Sequence, residues 1–171
     1  MQGSLAISLV RAALERFERA RATREPKFTV SLVARAWSRG KGRGAAHGRR
    51  VHERLWGDLS LIGQSEAVAT PLPLAWRFRF GWVYGVADQV LFERGVPVRV
   101  AEVKSYDSYG LSEPVQASLY GLLLELNFVA RPIVELVGRR AVEVGGWEEL
   151  ALEALSIFTR KLSNKNISSN I

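Results

Sequence analysis

A chain of 171 residues, 47% apolar and 24% charged, fits one domain with a core of its own. It has no cysteine and only two histidines, His47 and His52. That excludes a disulfide framework, a thiol nucleophile, thiolate-held zinc or iron–sulfur, and an all-histidine metal site. Net charge is +7 and uneven: residues 1–54 carry 13 Lys and Arg against 4 Glu, and residues 55–171 carry 11 against 13 Asp and Glu. A basic N-terminal part beside a near-neutral body points to a polyanionic partner, nucleic acid most simply. Genomic base composition or a solubilising surface is the alternative. No apolar run approaches the ~20 residues that cross a bilayer, and Leu5 to Val10 lacks a signal-peptide cleavage site, so a cytoplasmic protein without a membrane partner is expected.

In chain order, Leu5, Leu9, Ala13 and Phe17 fall at helical spacing and predict a helix over 5–22, closed by Pro26. A short helix follows over 31–38, with Thr29 or Ser31 as its N-cap. Residues 39–44 are glycine-rich and basic, and read as a loop. Val51, Leu55, Leu59 and Ile62 predict a helix over 45–62. Extended segments come next at 66–70 and 74–80, separated by Pro71 and Pro73. Residues 82–93 and 97–105 read as a hairpin of strands around Arg94-Gly95-Val96. Ser112 is expected to cap a helix over 113–128. A second hairpin, 132–138 and 141–144, precedes a helix over 147–162 and a flexible tail, 163–171. This order predicts a mixed sheet covered by helices, an α/β fold in one domain, 1–162. Trp37, Trp56, Trp76 and Trp82 read as core rather than base-stacking residues.

The residues with chemistry cluster in 85–104. Asp88 is a lone carboxylate in the apolar strand 82–93, and Glu102 and Lys104 interrupt the next one. Buried charge costs several kcal/mol unless it is paired or bound to metal. With a three-residue turn at 94–96, paired residues sum to 190, which sets Asp88 opposite Glu102 on one face, with Lys104 on the same side. Two carboxylates ~5 Å apart call for a cation, and oxygen ligands suit Mg²⁺ or Mn²⁺. Lys104 could hold an attacking water or offset developing negative charge, as phosphodiester hydrolysis requires. A solvated strand face is the alternative for Glu102 and Lys104.

Gly85-Val-Ala-Asp88 followed by Ala101-Glu102-Val103-Lys104 resembles the core motif of the PD-(D/E)xK nuclease superfamily. Gly48-Arg-Arg-Val-His52-Glu-Arg-Leu55 is similar to the histidine helix of RecB-like exonucleases, and Gln116-Ala-Ser-Leu-Tyr120 to their Gln-x-x-x-Tyr helix. The elements occur in the family's order over roughly residues 30–140. The resemblance implies a restriction-endonuclease-like core whose central mixed β-sheet is flanked by helices. It implies a metal-dependent deoxyribonuclease acting on single-stranded DNA ends, with Mg²⁺ or Mn²⁺ held by His52, Asp88, Glu102 and the Val103 carbonyl. Asp88, Glu102, Lys104, Gln116 and Tyr120 would be catalytic. Gln116 would orient Lys104 or a phosphate oxygen, and Tyr120 would contact the substrate backbone. Related CRISPR-adaptation exonucleases hold an iron–sulfur cluster on cysteines that this chain lacks, so no cluster is expected. Without the resemblance His52 reads equally as a core or surface histidine, and Gln116 and Tyr120 as ordinary helix polarity.

Arg43, Arg49 and Arg50, interleaved with glycines, are the expected phosphate-steering residues, with Arg35 a weaker candidate. DNA is the expected partner, and a second copy or a helicase, repair or CRISPR protein a further one. The rival readings are a non-catalytic DNA-binding or assembly subunit on the same fold, and a structure-specific endonuclease working as a symmetric dimer.

Overall fold

The computed structural model describes residues 2–38, 62, 66–104 and 109–168. Among them the elements run α1 (Gln2–Ala22), β1 (Lys27–Thr29), α2 (Val30–Ser38), β2 (Ala67–Phe78), β3 (Gly81–Glu93), β4 (Val96–Val103), α3 (Ser112–Phe128), β5 (Ile133–Val137), β6 (Ala141–Glu143) and α4 (Trp147–Ser168). No described helix is long and apolar enough to cross a membrane. The helix expected over 45–62 lies outside the described residues, save for the buried Ile62.

The protein is α/β, with a central mixed sheet flanked by helices. β3 is its axis. β2 pairs antiparallel along the whole length of one edge, Ala67 with Glu93 and Phe78 with Gly81. The other edge is shared by β1, parallel at Trp82 to Tyr84, and β4, antiparallel at Gln89 to Glu93. β5 lies parallel to β4 and antiparallel to β6. Parallel neighbours need a crossover, and α3 supplies it between β4 and β5.

Period-two alternation buries both faces of β2 and β3. Leu72, Leu74, Val83 and Ala87 join the main core with Leu119, Leu123 and Leu124 of α3. Ala75 and Trp82 form a second cluster with Phe17 and Ala20 of α1. Each fully buried side chain such as Leu74 or Leu119 contributes roughly 1.5–3 kcal/mol. Trp37 and Trp76 pack half-buried against the main core, with the Arg16 guanidinium 5.1 Å from the Trp76 ring centre, and Trp56 lies outside the described residues.

Several boundaries differ from expectation, each for a local reason. β1 has no alternation long enough to read; three residues, Lys27 to Thr29, pair with β3 and lead straight into α2. Thr29 caps α2, its hydroxyl accepting the Leu32 amide at 3.2 Å. Pro71 and Pro73 do not split β2, because an edge strand tolerates missing donors. Ser112 is the first residue of α3 rather than its cap; Leu111 stands at the cap without a side-chain bond. The expected flexible tail is helical as far as Ser168, and Lys161 of α4 donates to the Ala36 carbonyl at the end of α2.

The β3–β4 turn is also tighter than expected. Glu93 pairs with Val96 across two residues, Arg94 (φ 50°) and Gly95 (φ 81°), the two positive φ values of a type I′ turn. Left uncorrected, that would slip the register by one residue. β4 restores it with a bulge: Phe92 faces Pro97 but Leu91 faces Arg99, leaving Val98 as the extra residue. Beyond the bulge the pairs sum to 190, as in Gln89 with Ala101.

Candidate functional site

The site lies where β4 ends and α3 begins. A second bulge prepares it. Thr70 faces Val90 and Leu72 faces Ala87, so Pro71 alone opposes both Asp88 and Gln89. Pro71 has no amide to donate, and the extra residue on β3 bends the strand and re-aims Asp88. The β3–β4 pairing runs as far as Gln89 and Ala101, so Asp88 and Glu102 are the next residues on the two strands; Asp88 is exposed, not buried as its apolar strand suggests. Its Oδ2 accepts the Val103 amide at 2.8 Å, so this carboxylate takes the place of a ladder carbonyl.

Glu102 is only 2% exposed. Its Oε1 receives two donors, Lys104 Nζ at 2.8 Å and Gln116 Nε2 at 2.7 Å. Its Oε2 is buried with no hydrogen-bond partner among the described residues. Burial, then the neighbouring Asp88 charge, push the Glu102 carboxyl up to about 7, against the lowering effects of Lys104 and Gln116. The Lys104 side chain is 22% exposed, so its ammonium bridges a buried anion and the outside. Its amide donates to the Val137 carbonyl at 2.8 Å, which ties the end of β4 to β5.

Gln116 reaches the site from α3, and its Nε2 donates to the Glu102 carboxylate, a partner the sequence does not indicate. Tyr120, one turn further on, departs from expectation. It is 6% exposed and its hydroxyl is hydrogen-bonded to the backbone of Val86, so it braces β3 from within the core rather than presenting itself to a substrate backbone. Burial, followed by the Glu102 and Asp88 charges, raises its phenol well above the ordinary value. Gly85 is the matching socket: a Cβ there would lie 2.6 Å from the Tyr120 hydroxyl oxygen. Gly85 and Tyr120 both stand in the sequence motifs, but nothing in the sequence shows that one makes room for the other. Their spacing carries no sign of a contact between a strand and a helix 35 positions on.

Of the expected metal ligands, the structure brings Asp88, Glu102 and the Val103 backbone together. His52, and the basic candidates Arg43, Arg49 and Arg50, lie outside the described residues. Arg35 is on α2, its Nε donating to the Ser31 carbonyl at 3.2 Å within that helix. Among the described residues no three His, Asp or Glu side chains converge. A divalent ion nevertheless fits the donors present. The orphaned, buried Oε2 of Glu102 faces a low-dielectric site beside a second carboxylate, and all available donors are hard oxygens. No known family model, curated protein or solved structure matches the chain.

Proposed function

We propose that the chain is a divalent-metal-dependent nuclease of the PD-(D/E)xK, RecB-like kind, hydrolysing phosphodiester bonds in DNA with single-stranded ends as substrate. The observation that supports it is Glu102: a buried carboxylate with Lys104 on one oxygen, no partner on the other among the described residues, and the Asp88 charge close by. An ion pair kept only for stability would satisfy both oxygens, since an unpaired buried one costs about 1–3 kcal/mol. The order of elements agrees with that reading: an antiparallel run β2–β3–β4, then a crossover helix carrying Gln116, then β5 parallel to β4.

Asp88, Glu102 and the Val103 carbonyl, with His52, would hold Mg²⁺ or Mn²⁺, which when bound supplies positive charge at the scissile phosphate. The chain's own residues do the rest. Gln116 fixes the Glu102 carboxylate by holding Oε1, so Oε2 keeps one orientation. Glu102 in turn holds the Lys104 ammonium, which orients a water for attack on phosphorus or offsets the charge developing on the phosphate oxygens. Tyr120 and Gly85 keep β3 in place behind Asp88.

The test is hydrolysis of end-labelled single- and double-stranded DNA by the purified chain with Mg²⁺, with Mn²⁺ and with EDTA. Metal-dependent release of short products from single-stranded ends is expected. Intact substrate in every metal, with the chain folded, would overturn the proposal.

A further inference from the structure

The β5–β6 hairpin has a polarity that the reading above does not use. Its two acids, Glu135 and Glu143, face each other at one end of the ladder, where Arg99 also pairs with Glu135 at 3.3 Å. From Leu136 to Val142 there is no acid, and the turn contains Arg139 and Arg140, both exposed. The turn is closed by the Gly138 amide donating to the Arg140 carbonyl at 3.1 Å.

The parallel ladder fixes where that turn stands. Val103 pairs with Val137, and the Lys104 amide donates to the Val137 carbonyl at 2.8 Å. The turn residues that follow β5, Gly138, Arg139 and Arg140, therefore start opposite Lys104. Strands lie about 4.8 Å apart and rise about 3.3 Å per residue, so the turn's backbone is within about 10 Å of Lys104. That is the span of roughly three phosphates along a duplex strand. In open α/β sheets the carboxyl ends of strands are where ligands bind, and β4 and β5 bring their carboxyl ends together here.

We infer that the Arg139–Arg140 turn is a phosphate-binding site that holds the nucleic-acid backbone next to Asp88, Glu102 and Lys104. The inference rests on the nuclease reading for the identity of the polyanion. Guanidinium forks take phosphate oxygens bidentately and carry no base preference, so the turn positions the strand without reading sequence.

A fluorescein-labelled single-stranded oligonucleotide is titrated by anisotropy over a range of salt in EDTA, alongside cleavage assays in Mn²⁺. The variants are Arg139→Ala/Arg140→Ala, Arg139→Lys/Arg140→Lys, and Arg131→Ala at the opposite end of β5. The double alanine variant should flatten the log–log salt slope by about 1.4 units, at about 0.7 per phosphate contact. The lysine variant should keep most of the slope, because it keeps the charge. Arg131→Ala should leave it unchanged. An unchanged slope in the double alanine variant overturns the inference while leaving a cleaving wild type as a nuclease. An equal loss in Arg131→Ala, or a wild type that binds no DNA, overturns it too. A flattened slope in a chain that cuts nothing upholds the phosphate site and removes the nuclease reading.

Discussion

The two ends of the β3–β4 ladder are built from the same strands by opposite means. At the hairpin end, turn geometry and apolar packing set the structure. Arg94 and Gly95 close the type I′ turn, and Phe92 meets Phe128 edge-on at 5.6 Å. Leu5, Leu9, Pro97, Val98 and Val129 line a groove of about 810 Å³ beside it. At the other end sit Asp88 on β3, Glu102 near the end of β4 and Lys104 just past it, with a buried oxygen that no described residue satisfies. One end is stabilised by what it buries, and the other is strained by it. Because a one-residue slip would turn every side chain to the wrong face, the apolar end fixes the register that keeps the two carboxylates opposed. The costly arrangement is held in place by residues that have no chemistry of their own.

The largest expected effect is at the charged end. Lys104→Ala should lower turnover about 100- to 1000-fold, the scale for removing one group aimed at developing charge, while DNA affinity stays within about threefold. Near-normal cleavage by this variant would show that Lys104 serves only to neutralise Glu102.

Glu102→Gln separates the ion from the fold. Mn²⁺ should raise the melting temperature of the wild type, since it binds only the folded site, and the substitution should remove most of that rise. Without metal, the variant also reports the shifted carboxyl. Its folded value of about 7 lies above the ordinary 4.5, so the folded state holds the proton more tightly. The stability it contributes is full below pH 4.5 and is lost as pH rises through 7, about 3 kcal/mol in all. Urea melts in EDTA should show the wild type losing ground to Glu102→Gln across that window. A constant difference between the two from pH 4.5 to 8 would mean that the carboxyl is not shifted.

The same contrast explains how much was legible in the sequence. The charged end was, in outline: Asp88, Glu102 and Lys104 stood out because charge interrupts apolar strands, and their opposition followed from the sum of 190. A three-residue turn gives that sum directly, whereas the protein uses a two-residue turn and a bulge at Val98 whose effects cancel, so the parity is the same by a different local geometry. The order of elements from β3 to α4 was legible from periodicity and turn residues. β1 was not, because three residues show no period, and β2 was divided because a proline reads as a break until its strand is known to lie at an edge. The partners of Gln116 and Tyr120 were not legible either, since they are set by how α3 lies on the sheet rather than by spacing along the helix.

The contact between Gly85 and Tyr120 offers a smaller test, on the border between the two ends. Gly85→Ala places a Cβ 2.6 Å from the phenol oxygen and 3.1 Å from Cε1, so it should cost about 1–3 kcal/mol as overpacking. Tyr120→Phe removes the oxygen and with it the closest clash, while giving up the bond to the Val86 backbone. The double variant should therefore be more stable than the sum of the single losses by about 1 kcal/mol in urea melts. Strict additivity would show that the two residues do not share this space.

The smallest effect belongs to the apolar end. α3 terminates at Val129 in the left-handed region, φ 53° and ψ 40°, its amide donating to the Glu125 carbonyl at 2.8 Å. That position suits glycine, and a β-branched residue there is strained by roughly 1–2 kcal/mol. Val129 is 91% exposed, so its side chain returns little by packing. Glycine gives back part of the gain, because it loses more conformational freedom on folding. Val129→Gly should thus stabilise the protein by about 1 kcal/mol, a rise of roughly 2–4 °C in melting temperature. Cleavage should be unchanged, because the substitution lies at the end of α3 away from Gln116 and touches none of the residues around Glu102. A melting temperature that stays level or falls would show that the valine packs into the groove in solution. A change in turnover would show instead that the two ends of the sheet are coupled.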